Sequence, residues 1–221
     1  MESYNPSIAS TSAISMNKVL RNTYLLLSMT LLFSAVMAGV SMMFKVSHVV
    51  SLVCSFGALG LIWLVLPKTA HSSAGIGVVF AITGLLGFGL GPILNAYLSL
   101  ANGPELIATS LGGTGVIFLA LSAYVLTTRK DFSFMGGFLM VGLIIAVLAM
   151  VANLFFQIPA LSLALSGAII LIMSGFILFD TSRIIHGGET NYVNATVSLY
   201  LSIYNIFVSL LQILGIFGGD D

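Results

Sequence analysis

The chain has 221 residues, of which 58% are hydrophobic and only 6% are charged, and its mean hydropathy is +1.13. A soluble domain carries about 25% charged residues, so this composition excludes an ordinary soluble protein. Seven Lys and Arg residues balance seven Asp and Glu residues, and without a basic surface we expect no binding to nucleic acid. The composition indicates a multi-pass membrane protein that lies in the lipid bilayer.

Several apolar segments are long enough to cross a bilayer, whose hydrocarbon core of about 30 Å needs roughly 20 residues of helix. Alternating segments typical of an outer-membrane barrel do not occur. We therefore predict an all-α protein with a tail over residues 1–22 and a seven-helix transmembrane domain over residues 23–221. The predicted helices cover 23–44, 49–67, 74–98, 106–127, 133–156, 160–179 and 194–217.

The positive charges favour one orientation of these helices. Only Lys45 falls at one end of the predicted bundle, whereas the other end carries Lys18, Arg21, Lys68, Arg129, Lys130 and Arg183. Cytoplasmic loops of membrane proteins carry an excess of Lys and Arg, so we predict a cytoplasmic N-terminus. With an odd number of spans, the C-terminus then lies on the outer side of the membrane.

The seventh predicted helix carries a stripe of polar side chains. Its members are Asn194, Ser198, Ser202, Asn205, Ser209 and Gln212. At 100° per residue they share an arc of about 80°, and the opposite face is apolar, so the pattern predicts a helix buried in the bundle. The stripe indicates either the wall of a water-accessible path or cavity, or a row of hydrogen bonds between helices.

Asp180 is the only acidic residue at the edge of an apolar segment, where it follows the predicted end of the sixth helix. An ionised Asp at the bilayer centre costs about 2.5 to 3.5 kcal/mol, so a buried one pairs with a cation or keeps its proton. One interpretation is a gate that responds to protons or cations, with Lys68 or Arg183 as counter-charge. The other is an interfacial carboxylate hydrated by headgroup water.

The third predicted helix combines glycines with a proline at Gly89, Gly91 and Pro92. Proline removes one backbone hydrogen bond and clashes with the preceding turn, which predicts a kink at this point. Such a kink either lines a transport site or is filled by neighbouring helices. Small residues also predict close packing of the third, fourth and fifth helices, at Gly84, Gly87, Gly91, Gly112, Gly113, Gly115, Gly136, Gly137 and Gly142.

Residues suited to catalysis or metal binding are scattered along the chain. His48, His71 and His186 lack the spacing of metal ligands, and Cys54 is the single cysteine. The spans offer one Asp where an intramembrane aspartyl protease needs two, and no phosphate-binding glycine loop occurs. We therefore predict no enzyme activity, no metal site and no cofactor.

Four segments carry a more specific pattern. They are KVLRNTYLLLSMTLLFSA from Lys18, GLGPILNAYLS from Gly89, LSAYVLTTRKDFSFMGG from Leu121, and HGGETNYVNATVSLYLSIYNIFVSLLQILG from His186. They resemble the Bax inhibitor family, specifically its bacterial YccA branch, over nearly the whole chain from about residue 11. The resemblance implies a bundle in which helix 7 is central and is surrounded by the other six helices.

Members of this family from other bacteria are described as pH-sensitive calcium leak channels, gated by aspartates on helices 6 and 7. Asp180 matches the first aspartate, but the motif of the second, at residues 198–202, here ends in Ser202. Two close carboxylates share a proton, which a serine cannot do, although the Ser202 hydroxyl could still donate to Asp180. A pH-responsive leak of Ca²⁺ or H⁺ with an incomplete sensor is therefore the alternative function.

For the YccA branch, the resemblance implies binding to the membrane-anchored AAA protease FtsH, as a slowly degraded substrate that restrains proteolysis of other membrane proteins. An energy-driven protease needs an unfolded handle, and residues 1–17 are polar, with six Ser or Thr and no cation. An ordinary disordered N-terminus has the same composition. We expect a bacterial inner-membrane protein that modulates FtsH, with a cytoplasmic N-terminus and a periplasmic C-terminus.

Overall fold

The computed structural model describes residues 6–218, with side chains described from Lys18 onwards. Seven helices in this range are long and apolar enough to cross a membrane. They are α1 (Pro6–Met43), α2 (His48–Thr69), α3 (Ala74–Leu98), α4 (Gly103–Thr128), α5 (Gly136–Phe156), α6 (Pro159–Ile185) and α7 (Tyr192–Gly218). The prediction of an all-α, multi-pass membrane protein is confirmed.

Two helix limits differ by more than three residues from the sequence-based expectation. The backbone of α1 is already helical from Pro6, within the predicted tail, of which residues 1–5 lie outside the described part of the chain. α6 does not end at residue 179 but continues to Ile185, so Asp180 lies inside the helix. A charged residue need not end a helix if another helix supplies a hydrogen bond to it, and Asp180 receives one.

α3 and α7 are the two most buried helices of the bundle. α7 packs against α1, α3, α4 and α6, whereas α2 packs on α3 and α5 packs on α6. The central position of helix 7 is therefore confirmed, but α2 and α5 lie at the periphery instead of completing a ring of six. Both peripheral helices expose large apolar side chains, such as Trp63 and Leu154, which suit contact with lipid.

Glycines bring α1 and α3 into close contact. A methyl group on Gly87 would collide with the backbone of Ser34, and one on Gly91 would collide with Ser41. α3 continues without interruption through Pro92, and a kink there stays a prediction. Close packing is therefore confirmed for Gly87 and Gly91.

Three of the predicted glycines, on α4 and α5, behave differently. A methyl group would meet nothing within 4 Å at Gly112, Gly115 or Gly137. The prediction of close packing is wrong for these three positions, because they face away from the neighbouring helices.

The connections between the helices meet at two ends of the bundle. At one end, Asn191 Nδ2 donates to the Ala70 carbonyl at 2.9 Å, and His186 Nε2 lies 3.1 Å from the Arg129 carbonyl oxygen. We call this the basic end, because its helix ends and connections carry Lys68, Arg129, Lys130 and Arg183. At the opposite end, Asn102 Nδ2 donates to the Gly218 carbonyl at 2.6 Å. Which side of the membrane the basic end faces stays a prediction.

Candidate functional site

A hydrogen bond between Asp180 and Ser198 joins α6 to α7 towards the basic end. Ser198 Oγ donates to Asp180 Oδ2 over 2.5 Å, and Asp180 is only 7% exposed. The interpretation as a carboxylate hydrated at the membrane interface is therefore wrong. A buried carboxyl group needs such a donor, because burial without a partner costs free energy.

Ser202 does not fill the role that the motif suggests. It is 2% exposed, and its hydroxyl donates to the Ser198 carbonyl, one turn earlier in the same helix, at 3.2 Å. Serine hydroxyls inside helices readily bond to the carbonyl four residues before them. The donor to Asp180 is Ser198, so the expectation of a bond from Ser202 is wrong, although both serines belong to the predicted stripe.

The predicted counter-charges do not form an ion pair with Asp180. Among the described residues, the one salt bridge joins Arg183 Nη2 to Glu189 Oε2, at 3.7 Å. Arg183 also donates to the Gly188 carbonyl at 2.9 Å, and its guanidinium lies over the Phe179 ring. The loop after α6 therefore holds Arg183. The hydrogen-bond partner of Asp180 is instead the neutral hydroxyl group of Ser198.

The loop between α4 and α5 docks onto the end of α6. The Phe132 amide donates to Ser182 Oγ at 2.9 Å, and Ser182 Oγ lies 3.3 Å from Asp131 Oδ1. His186 Nδ1 lies 2.9 Å from the Ser182 carbonyl oxygen. We call Asp131, Phe132, Ser182 and His186 the α4–α5 latch. Sequence reasoning missed it, since its partners are some fifty residues apart in the chain.

The Asp131 carboxylate in the latch accepts hydrogen bonds that stabilise its charged form. The Ser133 amide donates to Asp131 Oδ1 at 2.8 Å. Hydrogen bonds from Ser133, with smaller effects of Ser182 and His186, hold the pKa of Asp131 below its ordinary value of 3.8. The latch is therefore formed with Asp131 ionised.

The other half of the polar stripe faces a cavity of about 980 Å³ near the opposite end. Asn205, Ser209 and Gln212 line it from α7, and Ser166 of α6 donates to Gln212 Oε1 at 2.9 Å. Asn194 lies at the start of α7, away from both the Asp180–Ser198 bond and the cavity. Its backbone amide donates to Asn191 Oδ1. The stripe thus combines an interhelical bond at Ser198 with a cavity wall further along.

The groups around Asp180 form hydrogen bonds that join neighbouring helices and loops. In residues 6–218, no group of three or more His, Cys, Asp or Glu side chains could hold a metal ion. The position of the second family aspartate holds Ser202, which bonds within its own helix. The buried carboxyl group of Asp180 therefore acts on α7 through a single hydroxyl.

Comparisons with known proteins agree with the fold and with the motifs. The family model described as "Inhibitor of apoptosis-promoting Bax1" matches residues 16–219. The chain is similar to the "Modulator of FtsH protease YccA" of Escherichia coli K12, with 57% identity over 210 residues and 95% of each chain covered. It is also similar to a membrane protein of Vibrio cholerae, with 52% identity over 205 residues, covering 93% of this chain and 92% of the relative. The protein therefore belongs to the Bax inhibitor family.

Proposed function

We propose that the protein is an inner-membrane modulator of an FtsH-type protease, which it binds and restrains without chemistry of its own. The observation that carries the proposal is the 57% identity, over 95% of both chains, to a relative named as a modulator of that protease. A second similar relative is named an inner membrane protein. Because the match omits no helix, the whole bundle is available for the same role.

The contacts of α1 explain how such a protein would resist its protease. A protease that pulls from the N-terminus must first separate α1 from the two central helices. α1 lies against the glycines of α3, and Ser34 Oγ is hydrogen-bonded to the Tyr200 hydroxyl of α7 over 2.6 Å. Tyr200 is 1% exposed. This packing opposes extraction, so that the protein would occupy the protease while being degraded slowly.

The N-terminal segment is the proposed handle. Its residues 1–17 are polar and carry no cation, and they lead into Lys18–Met43, the membrane-spanning part of α1, which the protease would have to remove first. On the predicted orientation, this segment and the basic end face the cytoplasm, where the ATP-driven part of such a protease would act.

A truncation tests the proposal. A protein lacking residues 2–17 should no longer co-purify with an FtsH-type protease from detergent-solubilised membranes. The matched control keeps the same residues in scrambled order, and it should still bind if the protease recognises the polar composition of the segment rather than its sequence. Both variants should elute as folded protein in gel filtration. Equal recovery of the protease with the truncated and full-length chains would refute the role of the segment.

A leak of Ca²⁺ or H⁺ receives no comparable support. The second carboxylate of the family sensor is replaced by Ser202. The residues that line the large cavity include no Asp, Glu, Lys, Arg or His. A cation in this cavity would have no counter-charge, which is unfavourable at membrane depth.

A further inference from the structure

The cavity near the opposite end has the size of a small-molecule site. It lies between α3, α5, α6 and α7 and has a volume of about 980 Å³, within the usual range of roughly 300–1,000 Å³ for ligand pockets. Leu154 of α5 and Ile216 of α7 belong to its lining and are themselves exposed on the outer surface of the bundle. The cavity is therefore open towards the surroundings of the helices.

The floor of the cavity is formed by Asn205, Ser209 and Gln212 of α7, and some of its polar side-chain atoms take part in none of the described hydrogen bonds. Ser166 bonds to Gln212 Oε1, and Asn205 Nδ2 bonds to the Leu201 carbonyl. Among the described hydrogen bonds, Gln212 Nε2 and Asn205 Oδ1 are left without a protein partner. Ser209, which is 6% exposed, also lines the floor, and none of the described hydrogen bonds involves its hydroxyl. Unpaired polar groups at membrane depth are costly, so a ligand with both donors and acceptors would stabilise this floor.

The chemistry of the lining selects against charge. No Asp, Glu, Lys, Arg or His lies among the lining residues. A phosphate or carboxylate group would therefore find no cation, and burying it would be unfavourable. The remaining wall is largely apolar, and its exposed members include Met150, Leu154 and Ile216 together with the uncharged Gln157. The site thus has an uncharged polar floor and an apolar exit.

We propose that this cavity binds a neutral acylglycerol, a lipid with hydroxyl and ester groups but no phosphate. Its glycerol hydroxyl and ester oxygens contact Asn205, Ser209 and Gln212, and an acyl chain leaves past Leu154 and Ile216 into the bilayer. This binding is independent of the proposed action on a protease.

Photolabelling of the purified full-length protein tests the proposal. The probe is diacylglycerol with a diazirine in one acyl chain, and the comparison probe is phosphatidic acid with the same chains. We expect diacylglycerol to label peptides of α5 and α7 that line the cavity, and phosphatidic acid to label them far less. The double variant Ser209→Val with Gln212→Leu should lose roughly tenfold in labelling, since it removes the donors of the floor.

Ser28→Ala is the matched control. Ser28 is exposed on α1, and its hydroxyl bonds only to the Tyr24 carbonyl of the same helix, so labelling should be unchanged. If the double variant does not fold, Ser209→Ala alone and Leu154→Trp, which narrows the exit, serve the same purpose. Equal labelling by both probes, labelling that ignores these substitutions, or no labelling of the cavity would overturn the proposal.

Discussion

Ser198 on α7 donates a hydrogen bond of 2.5 Å to the buried carboxyl group of Asp180 on α6. The bond spans two helices that pack along their length, and it is formed by residues eighteen positions apart in the chain. The resemblance to the Bax inhibitor family implies a second carboxylate as the partner of this aspartate, at the position of Ser202. Here a neutral hydroxyl one turn earlier takes over the bonding, so α6 and α7 are joined without a second acid.

Removing this donor should destabilise the bundle. We expect Ser198→Ala to lower the free energy of unfolding by about 1–3 kcal/mol, because it leaves a buried carboxyl group without its partner. Ser202→Ala is the control, since the Ser202 hydroxyl bonds only within α7; it should cost no more than about 0.5 kcal/mol. Denaturant unfolding in detergent micelles measures both values. Equal losses for the two variants would contradict the assignment of Ser198 as the donor.

The contact between α1 and α3 should tolerate no added volume. We expect Gly87→Ala to destabilise the protein by about 1–3 kcal/mol, because the new methyl group meets the backbone of Ser34, which cannot rotate away. Gly112→Ala is the matched control, because a methyl group there meets nothing within 4 Å. Thermal unfolding of both variants checks this. A stable Gly87→Ala protein would mean that α1 lies further from α3.

The hydrogen bond between Ser34 and Tyr200 should slow the removal of α1. We expect Tyr200→Phe to weaken the attachment of α1 to the central helices by about 1–3 kcal/mol. It removes the hydroxyl that is bonded to Ser34 and that also donates to the Thr83 carbonyl of α3 at 3.3 Å. Degradation by an FtsH-type protease should then be faster. Tyr124→Phe is the control, since the Tyr124 hydroxyl is exposed and contacts only Lys130. If Tyr200→Phe is degraded at the same rate as the unchanged protein, the hydrogen bond between Ser34 and Tyr200 does not contribute to resistance against the protease.

The α4–α5 latch should open in acid. Since the pKa of Asp131 in the folded protein lies below its ordinary value of 3.8, its contribution to stability is present above that value. It is lost as the pH falls through the folded pKa. Phe134 lies next to the latch and is exposed, so a spin label can be attached there through Phe134→Cys in a Cys54→Ala background. This label should become more mobile on acidification below about pH 4.

Asp131→Asn provides the control for the latch. It should abolish this pH step, because the amide cannot titrate. A step of the same size in Asp131→Asn would assign the titration to another group.

Hydropathy alone predicts the seven helices, because crossing a bilayer imposes a fixed length of apolar chain. The spacing of the polar stripe likewise predicts that α7 is buried. The end of α6 was not predictable in this way, since the carboxyl group of Asp180 accepts a hydrogen bond from Ser198 of the next helix. The α4–α5 latch was not predictable either, because it is a tertiary contact. Ser182 of α6 accepts a hydrogen bond from the Phe132 amide in the loop between α4 and α5. The cavity depends on how α3 and α5 flank α7, and no local pattern records that arrangement.

The most direct measurement of the proposed function uses an FtsH-type protease reconstituted in proteoliposomes with a second membrane protein as substrate. Full-length protein, added in equal amount to the protease, should slow breakdown of that substrate and itself disappear more slowly. The chain that lacks residues 2–17 should leave the substrate's half-life unchanged. If the substrate is degraded at the same rate with and without the full-length protein, this chain does not restrain the protease.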